Sequence, residues 1–157
     1  PARHPGTAPN HSARQRRQGY EEAHRQANLP ISAELYAEGD YSRQTARVGA
    51  RQLLTLPERP TAIMAANDQS AFAVLEIANE LGIHVPDELS VIGFDNTPES
   101  AHTFPPLTTV DQSIIAMGSR AAELLIAMIE GKTVENCLYQ LPTRLVIRAS
   151  CQSLDRG

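Results

Sequence analysis

Tryptophan is absent from this chain of 157 residues, and aromatics make up only 4% of it. Positive charge is also short: 14 Lys and Arg stand against 18 Asp and Glu, a formal net charge of −4, and Lys132 is the only lysine. Phosphate contact needs a basic face, so nucleic-acid binding by these residues is not expected. No apolar run approaches the roughly 18 residues of a membrane span. The opening segment, PARHPGTAPNH, is polar and Pro-rich and carries no apolar core of a secretory signal. Cysteine is limited to Cys137 and Cys151, in neither a metal-ligand spacing nor Cys-x-x-Cys, which reads as two reduced thiols in a cytosolic protein. His4, His11, His24, His84 and His102 show no metal spacing and read as surface or loop residues. There is no Gly-x-Ser-x-Gly elbow, no P-loop and no Gly-x-Gly-x-x-Gly. No enzyme chemistry, metal or cofactor is expected.

What is present is a globular composition, 41% hydrophobic and 20% charged, at a length that suits one domain. Residues 85–112, VPDELSVIGFDNTPESAHTFPPLTTVDQ, are the most telling stretch. Within it, residues 89–94 read as a buried parallel strand covered on both faces, followed at once by Asp95 and Asn96 and a turn at Thr97-Pro98. Upstream, Ser12 caps a helix reaching residue 27 or 28, and residues 35–38 form a short strand. Ser42 caps a second helix with Ala46, Gly49, Ala50, Leu53 and Leu54 at helical spacing. A strand at 61–66 leads into a third helix with apolar positions Ala71, Val74, Leu75, Ala78 and Leu81, ended by Gly82. Residues 108–110 are extended, and residues 114–130 are the longest helix. Short strands at 137–141 and 145–147 close the chain. Alternating strands and helices predict a three-layer α/β/α fold on a mostly parallel sheet.

In such sheets ligands bind just beyond the carboxyl ends of the strands. Residues 39–41, Asn67-Asp68 and Asp95-Asn96 share that edge, and Gln112 follows the fourth extended piece. Each residue has a plainer reading. Asp40, Ser42 and Asp68 are good N-caps, Asp95-Asn96 are turn formers, and Tyr41 is half-buried packing. Their recurrence at successive strand ends suits a small polar ligand rich in hydroxyls, with Tyr41 against an apolar ring face. Arg14, Arg16 and Arg17 read as a solvated face. Basic groups there oppose the helix dipole, which points to a specific role for one of them.

Several segments carry a family resemblance: SARQRRQGYEEA (12–23), EGDYS (38–42), RPTAIMAANDQSAFAVLEIANELGIHVPDELSVIGFDNTPES (59–100), PPLTTVDQ (105–112), GSRAAELLIAMIEGK (118–132) and LPTRLVIRASC (141–151). The chain resembles the LacI/GalR family of bacterial transcriptional regulators over residues 12–151. That resemblance implies a cytoplasmic, ligand-responsive repressor on a type I periplasmic-binding-protein-like core of two lobes. It implies effector contacts from Arg16, Tyr41, Asn67, Asp68, Asp95 and Gln112. Residues 1–11 are then an irregular segment and 12–157 a partial effector-binding domain. Residues 12–108 and 142–151 fall in the carboxyl-terminal lobe, and 109–135 form a crossover and a helix of the amino-terminal lobe. The family's helix-turn-helix and most of the amino-terminal lobe have no counterpart in these residues, so DNA contact belongs to a part not in this chain. The resemblance further implies a homodimer with the third helix at its interface, and no membrane contact. Two other readings stay open: a sugar-binding protein of a transport system, and an enzyme using Asp68 and Asp95.

Overall fold

The computed structural model describes residues 11–134 and 138–153. There are four helices, α1 (His11–Gln26), α2 (Arg43–Leu54), α3 (Asp68–Glu80) and α4 (Ile114–Ile129), and four strands among the described residues. The strands are β1 (Ala62–Met64), β2 (Ser90–Asp95), β3 (Thr108–Asp111) and β4 (Arg144–Val146), lying in the order β1-β2-β3-β4 in the sheet. Along the chain these elements run α1-α2-β1-α3-β2-β3-α4-β4. β1, β2 and β3 run parallel, and β4 returns antiparallel to β3. The register sets Met64 beside Ile92, Phe94 beside Val110, and Asp95 beside Asp111. The carboxyl ends of β1, β2 and β3 therefore share one edge.

Local chemistry explains the helix starts. Ser42 sits in extended conformation and its Oγ accepts from the Thr45 amide at 3.2 Å. Asn67 does the same for α3, its Oδ1 accepting from the Ser70 amide at 3.0 Å. Each satisfies a donor that the first turn leaves unpaired. Gly82, at φ +69, ends α3 in the left-handed region where a Cβ is costly. Ala50, Leu53 and Leu54 of α2 meet Phe72, Val74, Leu75 and Ile77 of α3, and both join Leu89, Val91 and Leu107 of the sheet in one core. Arg43, Arg47 and Arg51 on α2 pair with Glu76 and Glu80 on α3 along the outside of this seam.

Four expectations change. Ser12 does not cap the first helix: α1 already includes His11, and Ser12 Oγ meets the Tyr41 hydroxyl instead. Residues 35–38 do not form a strand: Ser32 caps a 3-10 turn over Ala33–Leu35, Tyr36 is drawn to Glu21 at 3.3 Å, and Ala37 packs against Gly49. Residues 138–140 join no strand either, because Tyr139 docks by its ring under Arg120 of α4, 4.4 Å away; Cys137 lies outside the described residues. β2 is covered fully on one face only: Val91 and Gly93 are buried, but Ile92 and Phe94 are half-buried. α3, the helix expected at a dimer interface, spends its apolar residues inside the molecule, leaving Gln69, Ser70, Glu76, Asn79 and Glu80 as its accessible surface. A dimer interface on α3 would thus be polar.

α4 buries no residue at all. Ile115 is 86% exposed, Ile129 76%, Met128 63% and Leu125 58%. Among the described residues no helix is long and apolar enough to cross a membrane. The chain past β4 turns back over the sheet. There Ser150 Oγ accepts from the Thr108 amide at 2.8 Å and donates to the Val91 carbonyl at 2.5 Å, and Cys151 Sγ donates to that carbonyl at 3.1 Å.

Candidate functional site

Five of the six effector contacts that the resemblance implies, Asp68 apart, converge at the carboxyl edge. Asp95 ends β2 and Gln112 follows β3, so parallel pairing brings them together: Gln112 Nε2 donates to Asp95 Oδ1 at 2.6 Å. Arg16 reaches in from α1. One guanidinium nitrogen donates to the Ala66 carbonyl at the end of β1, and the other stands 3.9 Å from Asp95 Oδ1. Its guanidinium carbon stands over the Phe94 ring, 3.8 Å from the ring centre, and 5.8 Å from the centre of Tyr41. Tyr41 is fixed at both ends: its hydroxyl meets Ser12 Oγ at 3.1 Å, and its carbonyl accepts from Asn67 Nδ2 at 3.1 Å. Asn67 thereby joins the Tyr41 turn to α3 while capping that helix.

Only one arginine of the first helix turns inward. The Arg16 side chain is 16% exposed, whereas Arg17 is 60% exposed and bonds Glu21 at 2.7 Å, and Arg14 is exposed. The sense of a solvated basic face holds for the latter two.

Asp68 is set apart from this group. It is fully buried, and its carboxyl group is occupied. Oδ2 accepts from the Thr97 amide at 2.7 Å and the Thr97 hydroxyl at 3.0 Å, while Oδ1 accepts from the Thr109 hydroxyl at 2.5 Å. Of the six expected effector contacts, Asp68 alone has its carboxyl group beneath the edge and bonded to the loop and to β3, a bracing position. Gly93 is the reason it fits, since a Cβ there would stand 2.4 Å from Asp68 Oδ1.

The backbone at the edge is unusual. Tyr41 (φ 70), Asp95 (φ 123), Asn96 (φ 55) and Ser113 (φ 56) all lie in the region that favours glycine. Such conformations persist where the surroundings over-determine them, and they cluster at ligand sites. Burial raises the Asp95 carboxyl above its usual range; the Arg16 charge opposes this, the Asp68 charge adds to it, and the Gln112 hydrogen bond opposes it. Next to it, Asp111 is held below the usual range by the Ser113 amide and by Arg144. Two neighbouring carboxylates are thus pushed in opposite directions.

Sequence reasoning missed Phe94, the platform for Arg16, and Arg148, whose guanidinium binds Asn96 Oδ1 at 2.7 Å. Alternation along β2 points Phe94 away from the core face, which was a usable signal. For Arg148 there was none. A hollow along α2, lined by Gln44, Arg47 and Val48 among others, contains none of the edge residues. Among the described residues no group of three or more His, Cys, Asp or Glu is placed to hold a metal.

The molecule is an α/β fold on a mostly parallel sheet whose carboxyl edge gathers a guanidinium, a carboxylate, two amides and a phenol. A profile of the periplasmic binding protein-like domain matches residues 3–151, and the chain belongs to that family, within the LacI/GalR regulators. It is 32% identical over 150 residues to the HTH-type transcriptional repressor PurR of Photobacterium profundum, covering 96% of this chain and 45% of that protein. Among solved structures, the transcriptional regulator CelR–cellobiose complex superposes with a TM-score of 0.79 at 34% identity, over 87% of this chain and 42% of that one. The Lac repressor dimer bound to operator and an anti-inducer superposes with a TM-score of 0.79 at 32% identity, over 90% and 49%. The chain spans under half the length of the curated relatives it matches.

Proposed function

We propose that this chain is part of the effector-sensing region of a LacI-type transcriptional repressor, and that its carboxyl edge is one wall of the effector pocket. The observation that carries this reading is Asp95, a partly buried carboxylate flanked by Arg16 and Gln112 at the end of β2. A carboxylate and a guanidinium side by side offer acceptors and donors in fork geometry, which suits vicinal hydroxyls or the edge of a heterocycle. The bare apolar face of α4 supports a second part of the proposal. Residues 109–135 lead into another lobe, where α4 packs, and residues 142–151 return from it. Ligand held between the lobes favours one lobe arrangement, and so shifts the operator affinity of an attached DNA-binding part. That shift is bounded by the ligand's differential affinity for the two arrangements. The protein is then a cytoplasmic homodimer, does no catalysis, and touches DNA through residues outside this chain.

The test is calorimetry and operator binding on the full-length protein, using cellobiose, D-glucose, D-ribose, adenosine and hypoxanthine as probes. Asp95→Ala should abolish the effector response and leave operator binding intact, because the discrimination of a polar site collapses when a buried partner is left unpaired. An unchanged response would reduce Asp95 to a turn residue.

A further inference from the structure

We infer that Arg148 is a positioning residue for the ligand loop, locking Asn96 and with it the Asp95 carboxylate to the chain that follows β4. Arg148 lies two residues past β4 and is half-buried. Its main-chain amide donates to Thr108 Oγ1 at 2.9 Å, which fixes its Cα against β3. From there Nη1 donates to the Leu107 carbonyl at 2.7 Å and to Ser100 Oγ at 3.1 Å, and Nη2 donates to Asn96 Oδ1 at 2.7 Å. These acceptors are neutral oxygens. The guanidinium is used here for its rigid planar fork, which a lysine ammonium does not reproduce.

What it grips needs gripping. Asp95 and Asn96 both have positive φ, a costly pair for two residues with side chains. The loop is held from four directions. Gln112 takes Asp95, Thr109 Oγ1 takes the Asn96 amide at 3.4 Å, Asp68 takes Thr97, and Arg148 takes the Asn96 side chain. The first three holds come from the sheet edge and the start of α3. Arg148 alone of the four reaches the loop from the chain beyond β4. On the proposed two-lobe reading, on which this inference rests for its meaning, that chain is the last crossing between lobes. A lobe rotation that pulls on residues 144–148 is then felt at the effector carboxylate, and effector binding is felt at the crossing.

Hydrogen exchange by mass spectrometry on the full-length protein, with no ligand added, tests this directly. Arg148→Met should speed exchange at the amides of Asn96 and Thr97 by about tenfold, the loss of one hydrogen-bonded hold worth about 1.4 kcal/mol. Amides in the middle of α3 should keep their wild-type rates. Arg148→Lys, with one donor to offer Asn96, should restore part of the protection. Asn96→Ala removes the same contact from the other side, together with the Asn96 side chain's bond to Asp111, and should speed exchange at Thr97 at least as much as Arg148→Met, which keeps the test decisive if Arg148→Met fails to fold. Wild-type exchange at residues 96–97 in both variants overturns the inference, as does an acceleration spread evenly over the protein. Because no ligand is present, that failure is separate from a failure of the effector reading, which the Asp95→Ala binding experiment reports.

Discussion

Asp68→Ala separates a bracing carboxylate from a ligand contact. Removing the side chain strands three donors at once: the Thr97 amide, the Thr97 hydroxyl and the Thr109 hydroxyl. A buried main-chain N–H left unpaired costs about 1–3 kcal/mol, and each hydroxyl loses a bond worth about 1 kcal/mol. The hydroxyls rotate to other acceptors and the terms do not add fully, so about 3–4 kcal/mol is the expected loss. Asp68→Asn keeps one acceptor oxygen but turns an NH2 group toward a donor, and should lose about 2 kcal/mol. Urea unfolding followed by circular dichroism measures both, with the midpoint falling and the slope unchanged. Any effector that binds the wild type should still bind the folded fraction of Asp68→Asn. A stability loss under about 1 kcal/mol for Asp68→Ala, well below the hydrogen-bond total, would refute the bracing role. Lost effector binding at full stability would return Asp68 to the ligand wall.

Two further outcomes are expected. Gly93→Ala should destabilise by about 2–4 kcal/mol in the same unfolding assay, because the new methyl meets a carboxyl oxygen at 2.4 Å and Leu107 Cδ2 at 2.9 Å, neither with room to retreat. Burial raises the Asp95 pKa, so the stability this carboxyl contributes is present below its unfolded value and lost as pH rises through its folded one; Asp95→Asn should therefore raise Tm at pH 7, with the gain vanishing in acid, while effector affinity of the wild type falls as pH drops through the raised pKa.

Much of the fold was legible because helical periodicity and caps are local. Ser42 and Gly82 mark boundaries by their own chemistry, and α2, α3 and α4 lie where spacing put them, but the caps read onto Asp40 and Asp68 fall to Ser42 and Asn67. The misread segments are those whose fate depends on what lies beside them. Residues 35–38 have strand-like composition, yet a strand needs a ladder, and the Ser32 cap with the Tyr36–Glu21 contact offers a local alternative. Residues 89–94 look apolar throughout, which suits burial on both faces. In the structure the second face, with Met64 41% exposed and Ile92 and Phe94 half-buried, is only partly covered. Composition reports what a face is suited for and does not report what covers it.

The same distinction governs the site. Position along the chain placed Asn67, Asp68 and Asp95 at strand ends, but direction is a three-dimensional property. Asn67 is the extended residue just before α3, and its side chain serves the Ser70 amide and the Tyr41 carbonyl, while Asp68, the first residue of the helix, turns under the sheet toward Thr97 and Thr109. Parallel register then decides the rest, because pairing Asp95 with Asp111 sets Gln112 one residue beyond, within reach of the Asp95 carboxylate. Arg16 completes the set from α1 by stacking on Phe94, a residue that would be dispensable to a turn and is needed for a guanidinium held beside a carboxylate. A turn-forming role alone accounts for Asp95 and Asn96. It does not account for an arginine and a glutamine brought to one carboxylate oxygen with an aromatic platform behind the arginine, and that convergence favours the ligand reading over the plainer one.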